Sequence, residues 1–119
     1  MKFSFNTRTV NGVAVMDLSG RMVTREPLDQ LYTTVQGAME SGTRQFAFNM
    51  KAVEAMDSSG LATLRDCVVK VKEGQGQLKL FGVTDRIMTL LRITQFTRIL
   101  ETFDDEQTAL ASLNSQKPD

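Results

Sequence analysis

Asp57-Ser58-Ser59-Gly60 is the stretch of this chain whose residue types and spacing offer chemistry. It stands where an apolar, strand-like segment gives way to an amphipathic, helix-like one. Two hydroxyls at such a junction lie beside unpaired backbone N–H donors and the positive end of a helix dipole, a setting that tolerates added negative charge. The chemistry this suggests is modification of a serine, not turnover. The chain has no histidine, which removes the usual general base, the usual zinc ligand and every Ser-His or Cys-His nucleophile pair. The motif is not Gly-x-Ser-x-Gly either, so no catalytic residue is expected and the chain is not read as an enzyme. Asp57 and Ser58 are both candidates for a helix cap, a role worth about 1 kcal/mol, and Asp57 is expected to bond local backbone N–H groups. Gly60 is expected to let helix and strand approach closely.

Other chemistry is excluded by what is missing. A single cysteine, Cys67, rules out an internal disulfide and any Cys-x-x-Cys site. It falls on the apolar face of a helical segment, where a buried, inert thiol is expected. Gly74-Gln75-Gly76 lacks the lysine and helix start of a phosphate loop and reads as a turn. Neither cofactor nor metal is expected. Lysine plus arginine (14) balances aspartate plus glutamate (14), so charge gives no reason to propose nucleic acid or an anionic membrane as partner. No window approaches the roughly 20 apolar residues of a membrane span. The terminus Met1-Lys2-Phe3-Ser4-Phe5-Asn6 lacks a secretory apolar stretch. A cytoplasmic protein without direct membrane insertion is expected.

The elements that must position the motif follow from periodicity. Phe3, Phe5 and Thr7 alternate with polar neighbours up to Asn11-Gly12, beyond which Val13, Val15 and Asp17 alternate with Ala14, Met16 and Leu18. Asn-Gly between alternating runs predicts a hairpin. Leu28, Leu31, Val35, Ala38 and Met39 recur at helical spacing behind Pro27, with Thr24 or Glu26 as candidate cap and Gly42 as stop. Arg44–Met50 reads as a strand with Phe46, Phe48 and Met50 on one face. Leu61, Leu64, Val68 and Val71 mark a second helix, and Leu78, Leu80 and Phe81 a further strand. Thr84 or Asp85 caps a helix carrying Ile87, Leu90 and Leu91. Ile99, Leu100 and Phe103 suggest a last short strand, and Asp104 with Gln107 a capping box for a final helix over Ala109, Leu110 and Leu113. The order β-β-α-β-α-β-α-β-α predicts an α/β fold: a mixed, largely parallel sheet of about five strands opened by a hairpin. The clean alternation within strands predicts four helices lying mainly on one face. One domain over 1–113 and a polar tail over 114–119 are expected.

The run Phe46-Ala47-Phe48-Asn49-Met50, followed by Val53-Glu54-Ala55-Met56-Asp57-Ser58-Ser59-Gly60-Leu61, is similar to the STAS superfamily, and more narrowly to bacterial anti-sigma factor antagonists. Leu18-Ser19-Gly20-Arg21, Leu78-Lys79-Leu80-Phe81-Gly82, Ile87 to Phe96 and Ile99-Leu100-Glu101-Thr102-Phe103 match in the same order, so the resemblance runs from about Phe3 to about Leu113. It implies a phosphoprotein of transcription regulation that works by partner-switching. The unphosphorylated domain binds an anti-sigma factor that is also a serine kinase, and so frees the sigma factor. The kinase phosphorylates the serine after the motif aspartate, here Ser58, and a serine phosphatase reverses it. The partner surface is expected at Met22, Val23, Thr24, Met56, Asp57, Ser58, Ser59 and Gly60. Many members carry an acidic residue where this chain has Val23, a departure that bears on kinase recognition. The alternative is a STAS adaptor that is never phosphorylated, a subunit of a transport ATPase or part of a stress-signalling scaffold.

Overall fold

Asn11 and Gly12 both take positive φ, 52° and 82°, as a two-residue type I′ turn requires. The chain therefore doubles back, and β1 (Ser4–Val10) pairs antiparallel with β2 (Val13–Met22). The computed structural model describes residues 2–114. Beyond the hairpin follow α1 (Arg25–Glu40), β3 (Gln45–Met56), α2 (Ser58–Glu73), β4 (Gln77–Phe81), α3 (Asp85–Ile93), a 3-10 turn over Phe96–Arg98, β5 (Glu101–Phe103) and α4 (Glu106–Asn114). The expected element order is the observed one. The polar tail at 115–119 lies outside the described residues, and Asn114 belongs to α4.

The strands lie in sequence order, β1-β2-β3-β4-β5, with every pair after the hairpin parallel. Parallel neighbours added in one direction through crossovers of the usual right hand place each connecting helix on the same side. Accordingly α1, α2 and α3 share one core with Ala14, Met16, Leu18, Phe46, Phe48, Met50, Leu78 and Leu80. The alternate residues Val13, Val15, Ala47 and Phe81 face the other way, against Ala109, Leu110 and Leu113 of α4. Three helices cover one face, and α4, the last element among the described residues, closes part of the second.

Local details differ from expectation. The third strand runs on past Met50 to Met56 and stays paired with β2 to Met22↔Met56. The last strand is only Glu101–Phe103; Ile99 and Leu100 precede it, anchored by the 3-10 turn. Asp105, not Asp104, caps α4, its Oδ1 accepting from the Thr108 amide at 2.8 Å. Thr84 caps α3, accepting from the Ile87 amide. Thr24 stands at the cap position of α1 without a side-chain bond, with Pro27 in the first turn.

Arg8 ties the second face together. Its guanidinium donates to both oxygens of Asp17, at 2.8 and 3.1 Å, and to both of Glu106, at 2.9 and 2.6 Å. Asn49 and Asn6 add donors to Asp17, at 2.8 and 3.2 Å. The Arg8 bonds, with those from the two asparagines, hold the Asp17 carboxyl down to about 2, and the same guanidinium lowers that of Glu106. Both carboxyls titrate lower in the folded than in the unfolded state. Their stabilisation is therefore complete above the unfolded carboxylate range of about 4, and it is lost as pH falls toward 2. With side chains a quarter to two-fifths exposed, the network is worth about 1 kcal/mol after solvent screening. Urea midpoints measured from pH 7 downward should stay level and then fall in acid, and Arg8→Met should flatten that fall. An equally steep acid fall in Arg8→Met would assign it to other groups.

Candidate functional site

The site is built where β2 and β3 end together. Met22 and Met56 are register partners on the last rung of that pair, and the chain leaves β3 directly into Asp57. Asp57 keeps an extended backbone (φ −121°, ψ −164°), as an N-cap residue does. Its Oδ1 accepts from the Ser59 amide at 2.8 Å and from the Gly60 amide at 3.4 Å. Its own amide donates to the Met22 carbonyl at 3.5 Å, joining the motif to the end of β2. Asp57 is thus the helix cap, as expected of a residue that bonds local backbone.

Gly60 makes this geometry possible. A Cβ there would lie 2.5 Å from the Met22 carbonyl oxygen, 2.6 Å from Met56 Cγ and 2.9 Å from Met22 Cβ. The first turn of α2 therefore rests on the backbone of β2, closer than any side chain permits. The expected close approach is observed, and its partner is β2 as well as β3.

Ser58 is the first residue of α2 and is exposed. Among the described residues its hydroxyl has no hydrogen-bond partner, since Asp57 has taken the capping role. Ser59, half-buried, gives its amide to Asp57. Both serines open on a cleft of about 240 Å³ between the beginnings of α1 and α2, lined also by Arg25, Asp29, Ala62, Thr63 and Asp66. On the other side of Met56 lies an apolar groove of about 360 Å³, lined by Ala55, Ile87, Leu90 and Ile93 with Arg86 and Thr89. Ile93 is 74% exposed, the most exposed large apolar side chain among the described residues.

The structure brings Val23, Thr24, Met56, Asp57, Ser58 and Ser59 together at one end of the sheet with at least part of each side chain reaching solvent. It corrects the expectation for two others. Met22 has 0% exposure and belongs to the core, because the inward face of β2 continues to that residue. Gly60 is also buried. These two position the surface without forming it. Arg25, Asp29 and Ile93 are not among the residues that the sequence picks out, and Leu90 is picked out only as part of the apolar face of α3. Ile93 carried one signal: it falls off the buried stripe of α3 marked by Ile87 and Leu91.

The remaining groups offer little chemistry. Burial pushes the Cys67 thiol up to about 12, so it is un-ionised and inert, as expected. A cleft of about 370 Å³ opens at the far edge of the sheet, beside Gln77 and Leu78 at the start of β4. Its lysines are engaged: Lys72 donates to the Ile99 carbonyl at 2.8 Å, and the buried Lys79 bonds Glu101. Among the described residues no cluster of three or more acidic, cysteine or histidine side chains could hold a metal ion. Nor, among those residues, is any helix long and apolar enough to cross a membrane.

Two substitutions separate cap from surface. Asp57→Ala should cost about 1 kcal/mol through the lost cap, whereas Ser58→Ala should stay within about 0.5 kcal/mol of the parent. Gly60→Ala should cost about 1–3 kcal/mol, since α2 must shift off β2. Urea denaturation of the three variants checks all of this. A Ser58→Ala loss as large as that of Asp57→Ala would mean that the serine, too, holds the helix.

The fold has recognisable relatives. No curated protein sequence is significantly similar. Solved structures are similar at low identity. An anti-sigma factor antagonist from Mycobacterium paratuberculosis superposes with a TM-score of 0.82 at 16% identity, over 95% of each chain. The anti-sigma factor antagonist SpoIIAA in its unphosphorylated form gives 0.75 at 15%, over 96% of this chain and 100% of that one. The Bacillus cell fate determinant SpoIIAA in the phosphorylated form gives 0.73 at 16%, over 92% and 98%. A sulfate transporter family protein from Wolinella succinogenes gives 0.71 at 21%, over 91% and 89%. These likenesses agree on the fold, and the sequence profile of the STAS domain matches residues 4–109. The chain belongs to the STAS domain family.

Proposed function

We propose that this STAS domain is an anti-sigma factor antagonist switched at Ser58. In its unphosphorylated form it binds an anti-sigma factor that is also a serine kinase, which releases the sigma factor. Phosphate on Ser58 ends that binding, and a serine phosphatase restores it. The observation that carries this reading is the state of Ser58. Its hydroxyl is exposed and unpartnered on the first residue of a helix already capped by its neighbour. A modifying enzyme can reach it, and no stabilising bond is lost when it is modified.

The surroundings supply the rest. Phosphorylation adds roughly −1.5 to −2 charge and three acceptor oxygens, which the amino-terminal end of α2 tolerates. SpoIIAA keeps this same fold in both its unphosphorylated and its phosphorylated forms. A partner seated across Val23, Thr24, Met56 and Ser59 would use the groove at Leu90 and Ile93 for apolar contact. The same partner would meet bulk, like charge and a desolvation cost once Ser58 carried phosphate. The domain then acts by occupancy, without catalysis of its own, in the cytoplasm where sigma factors work.

A second reading has one observation behind it, the likeness to a sulfate transporter family protein. In it the domain is a constitutive adaptor and Ser58 is never modified. The partner recovered from native cells separates the two: a kinase-fold protein in the first case, a transport subunit or scaffold in the second.

Intact mass of the protein from its native cells, with fragment mapping, should find one phosphate, on Ser58. Its absence across growth and stress conditions would favour the adaptor. Ser58→Asp should weaken binding to the cognate anti-sigma factor tenfold or more, about 1.4 kcal/mol. Its Tm should stay within about 1 °C of the parent, as expected for a change at an exposed site. Calorimetry of binding and of unfolding reads the two quantities.

A further inference from the structure

We infer that Arg25 is the residue that holds the phosphate of phospho-Ser58, so that the modified side chain is drawn into the cleft between α1 and α2. The inference rests on phosphorylation of Ser58 as proposed above, and adds where the phosphate goes. Arg25 is the first residue of α1, and Ser58 the first residue of α2; both line the same cleft of about 240 Å³. The cleft is open to solvent and large enough to admit a phosphoryl group beside the side chains that line it.

The charges around the cleft decide between capture and expulsion. Asp29 and Asp66 also line it. Asp66 has Arg65 beside it, at 3.9 Å on the surface. Asp57 directs Oδ1 at the Ser59 and Gly60 amides, so its charge is turned toward the helix end. Asp29 stands one turn along α1 from Arg25 without forming an ion pair with it. Among the described residues, the Arg25 guanidinium has no ion-pair or hydrogen-bond partner. The segment ahead of it, Met22-Val23-Thr24, brings no carboxylate to the site. A dianion on Ser58 outbids the single charge of Asp29 for Arg25, because guanidinium and phosphate pair in a bidentate fork. The amino-terminal ends of both helices favour the same placement. Arg25 is a positioning residue in this scheme. It fixes the direction of the phosphate and occupies a cation that the unphosphorylated surface leaves available to a partner.

The test uses protein with phosphoserine installed at position 58 during synthesis, so its result is independent of whether a kinase modifies Ser58 in cells. The second ionisation of the phosphate, near pH 6 in free phosphoserine, is followed by phosphorus NMR. In the folded protein it should lie about half a unit to one unit lower than in the urea-unfolded chain. Arg25→Gln should abolish most of that difference, and Arg25→Lys should restore part of it. Arg25 is exposed, so these variants fold. A phosphate that titrates identically in the parent and in Arg25→Gln would overturn the inference while leaving Ser58 phosphorylation, read by intact mass, standing.

Discussion

The closeness of α2 to the end of β2 is the constraint on which the rest of the site depends. Gly60 has no Cβ, so the first turn of α2 settles on the Met22 carbonyl. That contact leaves Asp57 in an extended conformation between strand and helix, where its side chain can only turn back and cap. With the cap supplied by Asp57, Ser58 is turned outward with its hydroxyl uncommitted. One missing methyl group thus divides the labour of the motif, so that the aspartate secures the fold and the serine faces the solvent.

The scaffold under the motif is stiff for reasons of layering. Met22 and Met56 end a long parallel pair whose inward side chains are packed by α1, α2 and α3. The site lies beyond the carboxyl ends of β2 and β3, where the loops of open α/β sheets converge and ligands commonly bind. The core below is formed by fully buried side chains such as Met22, Met50 and Leu64, so a charge added at Ser58 stays in the solvent-open cleft above it. A change at Ser58 is therefore read at the surface, by whatever docks there. The apolar groove on the other side of Met56 makes that surface two-sided, polar toward α1 and nonpolar toward α3.

Much of this was legible in the order of residues, because the signals were local. Asn11-Gly12 declares a turn that few other dipeptides allow. Val13 to Leu18 alternates so regularly that both sheet faces can be assigned from it, and the two cores divide along that alternation. What was illegible depends on partners distant along the chain. Lys79, a charged residue between Leu78 and Leu80, is buried and bonds Glu101, its register partner on β5. Met22 reads as loop, yet β2 continues to it because β3 is long enough to pair that far. Arg25 and Ser58 meet at one cleft only through the packing of α1 on α2. Asp105 rather than Asp104 caps α4, a one-residue choice between neighbouring aspartates that periodicity does not resolve.

The strand order has a consequence for how the protein is made. Each strand is laid beside the one synthesised just before it, so the sheet and its three-helix face can assemble progressively as the chain leaves the ribosome. The opposite face cannot. Its cover is α4, the last element among the described residues, and the Arg8–Glu106 bonds that fasten it span 98 positions. Val13, Val15, Ala47 and Phe81 stay bare until α4 has been made. A nascent chain that stalls short of α4 presents a formed sheet with an oily back, the kind of surface that chaperones and aggregates both recognise.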